Sequence, residues 1–195
     1  MGIAVSTDGG TTFRRMFEGP VLDRTPEEPY IAVTPSILPE EGFWRMWYIS
    51  GLRWVLIGDR YEPVYGIKGA TSRDGVSWDR PGRLLIPQRD DEEAFSHPSV
   101  IRDARGYHMW YCFRSSRDYR DGAGAYRIGY AASDDGEDWR RLDDLGGLGL
   151  QPEGFASTMT CYPFVVVVDG RRIMFFNGNG FGRSGIGWAV WEDEA

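Results

Sequence analysis

The residues of this chain with the most chemistry to offer stand beside three prolines. Thr34 precedes Pro35, His97 precedes Pro98 and Tyr162 precedes Pro163. An imidazole titrates near neutral pH, so His97 can serve as an acid–base group or hold a hydroxyl; the other reading open is an ordinary hydrogen-bonded structural histidine. Glu93, five residues before Pro98, is the carboxylate best placed to rim a pocket with His97. It also ends the acidic run Asp90-Asp91-Glu92-Glu93, which reads as a solvated loop. His97 and Glu93 are the candidate catalytic pair. Arg53 adjoins Trp54, and Arg114 and Arg117 fall in a corresponding stretch further on. An indole face with a guanidinium binds a polyhydroxylated ligand by stacking and forked hydrogen bonds; the same residue types also serve packing and surface ion pairs. Asn177 and Asn179 carry amides that both donate to and accept from hydroxyls, although Asn-Gly is equally a turn pair. Thr34, Arg53, Trp54, Arg114, Tyr162, Asn177 and Asn179 are therefore the candidate ligand-binding set.

The elements that must position these groups form a repeat. His97-Pro98-Ser99-Val100-Ile101 is followed, after a turn, by Tyr107-His108-Met109-Trp110-Tyr111. Thr34-Pro35-Ser36-Ile37-Leu38 with Trp44-Arg45-Met46-Trp47-Tyr48 is a second copy, and Tyr162-Pro163-Phe164-Val165-Val166 with Arg172-Ile173-Met174-Phe175-Phe176 a third. In every copy a methionine followed by two aromatics begins eleven residues after the proline. Each unit reads as a hairpin of an apolar strand, a turn and an aromatic strand. Between the copies a second motif recurs: Ser6-Thr7-Asp8-Gly9, Ser72-Arg73-Asp74-Gly75 and Ser133-Asp134-Asp135-Gly136, the last two followed by Trp78 and Trp139. Asp-Gly is a hairpin-turn pair because glycine supplies the positive φ such turns need. The unit is thus four antiparallel strands, repeating about every sixty residues, which is a propeller blade.

Composition narrows the function classes. Of the 195 residues 42% are hydrophobic, enough for a real core in one domain. A net charge of −7 argues against nucleic acid or an anionic membrane surface as partner. No apolar run approaches the ~20 residues of a membrane helix, and the opening Met-Gly-Ile-Ala-Val-Ser does not read as a secretory signal. Cys112 and Cys161 fall at non-equivalent repeat positions; free thiols in a reducing compartment are expected, a disulfide being the alternative, and the location expected is cytoplasmic. No cluster of ligating residues has metal spacing, so neither metal nor cofactor is expected.

Taken in order, residues 1–17 read as a partial blade, 31–80 and 96–141 as blades and 161–191 as a partial blade of one domain. Residues 18–30 read as a connector, and Ser50 to Pro63 as a long loop between two strands. No helix is expected. About three blades cannot close a ring, since propellers have four to eight. Open faces are then expected at both ends, to be covered by further N-terminal blades or by another copy of the chain.

The pattern Pro-Ser-Val-Ile, Met-Trp-Tyr, then Ile128-Gly129-Tyr130-Ala131-Ala132-Ser133 with Asp135-Gly136 and Trp139 resembles the five-bladed propellers of glycoside hydrolase families 43 and 32. The likeness is strongest to glycosidase-like proteins of bacterial surface-polysaccharide gene clusters. Cys161-Tyr162-Pro163-Phe164-Val165 and Asn177-Gly178-Asn179-Gly180-Phe181 look like that group's C-terminal blade. The resemblance covers nearly the whole chain but only the last three-fifths of such a domain. It implies a carbohydrate ligand, and either a glycosidase-like activity or a non-catalytic sugar-binding or scaffolding role. In the family, acidic residues stand at the start of the innermost strands, where two carboxylates can flank a glycosidic bond. Here those places hold Val33-Thr34, Ser96-His97 and Cys161-Tyr162, so the expected carboxylates are absent.

Overall fold

The computed structural model describes residues 1–120 and 122–192. Among them the chain is all-β apart from one 3-10 turn, Asp143–Leu145, and no helix is long and apolar enough to cross a membrane. Strands β1 (Ala4–Val5) and β2 (Arg14–Arg15) form a small ribbon. The first full sheet is β3 (Ala32–Glu40), β4 (Phe43–Ile57) and β5 (Arg60–Ser72). The second is β6 (Glu93–Asp103), β7 (Gly106–Ser115), β8 (Arg127–Ser133) and β9 (Arg140–Arg141). The third is β10 (Cys161–Val168), β11 (Arg171–Asn177) and β12 (Ile186–Val190). All neighbours are antiparallel and paired in chain order. These are propeller-type sheets.

The eleven-residue spacing is a register. Met46 pairs with Ile37 and Ala70, Met109 with Val100 and Ala131, and Met174 with Val165 and Ala189. Each methionine thus sits mid-sheet between a β-branched residue and an alanine, and all three are buried. The Ser-x-Asp-Gly turns repeat as closely. Ser72 Oγ donates to Asp74 and accepts from Gly75 N–H, and Trp78 Nε1 donates back to Gly75 O; Ser133, Asp135, Gly136 and Trp139 do the same.

Neighbouring sheets pack face to face. Trp47, Ile49 and Ile67 of the first meet Phe95, Met109, Tyr111 and Trp139 of the second, and Trp47 Nε1 reaches Gly136 O at 3.0 Å. Trp110, Ile128 and Tyr130 of the second meet Val165, Met174 and Phe176 of the third. The three proline strands lie side by side, tied by one device. Ser36 Oγ accepts Val100 N–H (3.0 Å) and Ser99 Oγ accepts Val165 N–H (2.8 Å).

Three details depart from the sequence reading. Among the described residues only the second sheet has four strands; the fourth strand of the first shrinks to two isolated bridges, Thr71 to Asp79 and Lys68 to Leu84. Ser50 to Pro63 is no loop, because β4 and β5 run on as a hairpin arm to a turn at Gly58-Asp59. The run Trp54-Val55-Leu56-Ile57 carries the β propensity that sustains it. Residues 18–30 are also more than a connector. Leu22 packs with Met46, Tyr48 and Ala70, and Glu28, 4% exposed, enters the outer face of the first sheet. Tyr48 Oη lies 2.9 Å from both its oxygens, with Ser50 Oγ at 3.2 Å, Lys68 Nζ at 3.4 Å and Arg80 Nη1 at 3.8 Å. Around Met46 and Tyr48 that face is therefore covered within the chain, with Ile37 and Trp44 left partly exposed, while among the described residues nothing covers the outer face of the third sheet.

Candidate functional site

The three residues before the prolines adopt the same unusual backbone. Thr34 (φ 47°), His97 (φ 53°) and Tyr162 (φ 55°) are left-handed, and at each the ladder skips register: between Val33 and Ser36, Ser96 and Ser99, and Cys161 and Phe164. Proline lacks the ladder N–H and disfavours a helical residue before it, so the strand bulges there. A non-glycine left-handed residue costs on the order of 1–3 kcal/mol and persists where the surroundings impose it, often at functional sites. Three in equivalent positions bring three side chains to one end of the proline strands.

There they line a single cavity of about 640 Å³ with Ser96, Tyr126 and Asn177, against a wall of Ile31, Val33, Ile49 and Tyr65. The His97 and Tyr162 rings lie 5.4 Å apart and the Tyr126 and Tyr162 rings 5.8 Å apart. Burial lowers the His97 pKa below its usual 6.5, keeping the ring neutral at neutral pH. Burial likewise raises the Tyr126 and Tyr162 phenols, so they present O–H groups. Thr34 Oγ1 is buried with no hydrogen-bond partner among the described residues. Behind Tyr162 its own N–H meets Cys112 Sγ at 2.9 Å. Cys112 and Cys161 are free and buried, and burial pushes the Cys161 thiol up to about 12; both are packing residues, not nucleophiles.

The remaining candidates lie elsewhere. Glu93 does not rim the cavity. It is 5% exposed and gripped by Arg141, with Nη2 at 2.7 Å from Oε1 and Nη1 at 2.8 Å from Oε2, and accepts Arg89 N–H at 2.7 Å. The reading as a solvated loop also fails for it: strand alternation turns its side chain toward Arg141 of β9. Arg53 donates to Asp91 O at 2.5 Å and to Gln88, while Trp54 stands on the hairpin arm opposite Pro63, 47% exposed. Asn179 serves a loop, its Oδ1 accepting Thr158 and Met159 N–H at 2.8 and 3.1 Å and its amide donating to Gly154 O and Ser157. Arg114 is buried behind the cavity and donates to Tyr126 Oη at 3.2 Å. Arg117 pairs with Glu92.

Sequence reasoning did not reach Tyr65 and Tyr126. Tyr65 lies in β5 and Tyr126 just before β8, both outside the proline repeat; their signal was a shared place five residues before Ala70 and Ala131, and the repeat alignment did not extend to it. A wider groove of about 970 Å³ runs along the rim beside Asp74, Trp78, Arg45 and Glu137. Its groups already bind one another: Asp74 caps its own turn and Arg45 reaches Glu137 at 3.1 Å. At the mouth the Thr34, His97 and Tyr162 side chains converge with no side-chain hydrogen bond among the described residues, and none of its lining residues is Asp or Glu.

No family model matches the chain. An uncharacterized protein of Mycobacterium tuberculosis (strain CDC 1551 / Oshkosh) is 37% identical over 194 residues, covering 99% of this chain and 61% of that protein. Its counterpart in strain ATCC 25618 / H37Rv gives the same identity and coverage. The chain thus spans 61% of the length of the curated relatives it matches. Among solved structures, a thermostable family-43 glycoside hydrolase superposes with a TM-score of 0.70 at 18% identity, over 99% of this chain and 63% of that one. A family 117 glycoside hydrolase from the marine bacterium Zobellia galactanivorans gives 0.70 at 16%, over 88% and 56%. The Bombyx mori GH32 beta-fructofuranosidase gives 0.66 at 16%, over 96% and 40%. The likeness is one of fold: this chain has the propeller fold of these glycosidases.

Proposed function

We propose that this chain is a glycosidase-like carbohydrate-binding propeller whose mouth, at Thr34, His97, Tyr162 and Asn177, holds a sugar without hydrolysing it. One observation carries the reading: a cavity lined by hydroxyl, imidazole, amide and aromatic groups in which no described residue is a carboxylate. Such groups match a sugar's alternating hydroxyls and apolar faces. Hydrolysis asks for more. Protonating the leaving oxygen and supporting the anomeric carbon needs two carboxylates at fixed separation. Thr34 and Cys161 carry none, His97 could fill one acid–base role but not both, and Glu93 is locked to Arg141. A general acid–base group is worth about 10²–10⁴ in rate, so little turnover remains.

The same reading places the protein in bacterial surface-polysaccharide metabolism in the cytoplasm, with a five-bladed ring completed by further sheets or another copy. Its support is the family resemblance in the Pro-Ser-Val-Ile, Met-Trp-Tyr and Asp-Gly motifs together with the fold of the neighbours. The test is a panel of aryl glycosides and free sugars offered to the purified chain and to His97→Ala and Glu93→Gln. Weak binding that His97→Ala removes, with no appreciable turnover, is expected. Robust turnover abolished by Glu93→Gln would make Glu93 the acid and overturn the non-catalytic reading. Binding or turnover indifferent to His97→Ala would show that the mouth is not the site.

A further inference from the structure

Resting on the reading that the mouth holds a sugar, we propose that the sugar it prefers is acidic: a hexuronate residue, whose carboxylate is drawn by cationic charge set behind the cavity's tyrosines. Arg114 is 3% exposed. Its Nε donates to Tyr126 Oη at 3.2 Å, its Nη1 to Ser116 Oγ at 2.9 Å and its Nη2 to Pro63 O at 2.9 Å. The guanidinium lies 3.8 Å from the Tyr119 ring centroid. Among the described residues every one of these partners is uncharged. Arg127, next in the chain after Tyr126, is likewise met by neutral groups, its Nη1 donating to the carbonyls of Ala125, Tyr126 and Thr158 at 3.1, 2.9 and 3.0 Å. Glu62 senses Arg114, but Arg120 at 2.6 Å and Tyr119 at 3.1 Å already hold it.

Taking a charge out of water is costly, and proteins ordinarily answer it with a paired carboxylate. The Arg114 guanidinium, hydrogen-bonded only to neutral groups, leaves a positive field at the Tyr126 wall of the cavity, where the lining adds no charge of its own. The field reaches through both tyrosines of the wall: Arg114 lies 5.7 Å from the Tyr65 ring centroid and 5.8 Å from that of Tyr126. Burial raises both phenols and Arg114 pulls against it in each. Tyr126 Oη accepts the Arg114 Nε–H, which frees its own hydrogen to donate. A hydroxyl that accepts from a cation is polarised into a stronger donor. A carboxylate oxygen answers both the donor and the field; a neutral hydroxyl answers only the donor. Neutral His97 adds no competing charge.

The test titrates the full chain with methyl β-D-glucopyranoside and with methyl β-D-glucopyranosiduronate, reading the His97 and Tyr162 resonances by NMR at neutral pH. The uronide is expected to bind about tenfold more tightly, the size of one unscreened charge acting across a layer of protein. Tyr126→Phe keeps the ring and removes the donor, and should cut that preference about threefold or more. Arg114→Met should bring it near unity, with circular dichroism verifying the fold. Equal affinities for the two ligands would overturn the acidic-sugar proposal and leave the sugar-binding reading standing. No shift with either ligand would overturn both. A preference untouched by Tyr126→Phe would remove the role given to this wall.

Discussion

His97 shows how a residue's setting changes what its type suggests. An imidazole in an open pocket is a proton donor and acceptor near neutrality. Here burial favours the neutral ring and sets its pKa below 6.5, so it serves as a hydrogen-bonding face. The linkage has a definite sign. Above pH 6.5 the ring is neutral folded and unfolded and contributes no pH dependence. As the pH falls below 6.5 the unfolded chain takes up the proton first, and stability drains until the folded pKa is passed. Chemical denaturation between pH 7 and pH 4 should therefore show wild type losing stability relative to His97→Gln. The difference should change by no more than about 1.4 kcal/mol per pH unit, the slope for one proton. A difference that stays flat would mean the ring is as well solvated folded as unfolded. Glu93 teaches the opposite lesson. Its sequence neighbours Asp90, Asp91 and Glu92 suggested a solvated run, yet its strand position drives it into a bidentate grip with Arg141.

At the scale of elements, the proline, methionine and Asp-Gly signals were legible because each repeats a local geometry. The eleven-residue spacing became the ladder register and the Ser-x-Asp-Gly motif became a self-capped turn. Thr34, His97 and Tyr162 could be placed at one mouth from their proline neighbours alone. What stayed hidden depends on partners distant in sequence. Trp139 is buried by its neighbour sheet while its counterpart Trp78 is only half-buried, since Trp78 meets the N-terminal segment in place of a full sheet. The Glu28 latch joins residues up to 52 positions apart, as Arg80 and Glu28 show, and no local pattern announces it. Breaking it should be costly. Glu28→Gln keeps the shape but leaves Lys68 and Arg80 without their anion; removing one partner of a buried pair typically costs about 3–5 kcal/mol. Urea denaturation is the measurement. A loss below about 1 kcal/mol would mean that Leu22 and its apolar contacts hold the segment unaided.

For the whole molecule, the two ends of the row of sheets are unlike. The first sheet is covered around Met46 and Tyr48 by residues of its own chain. On the third, Phe164, Phe175 and Trp188 pair in one cross-strand row, 57%, 43% and 66% exposed, with Ile186 beside them at 74%. The device that ties one sheet to the next also changes there: Phe164 stands where Ser36 and Ser99 accept a neighbour's N–H. The face has therefore lost a polar tie and gained apolar area. Proteins that stay monomeric rarely bare contiguous apolar patches beyond a few hundred Å², so this chain in isolation should self-associate at micromolar concentration or bind a hydrophobic dye. Sedimentation and dye fluorescence read the two outcomes. Trp188→Ser with Ile186→Ser should shift both toward a monomer that ignores the dye. Stability should change by only about 1 kcal/mol or less, because both side chains are already in water. A wild-type chain that sediments as a clean monomer and leaves the dye dark would show that the row is too broken by its neighbours to act as one surface.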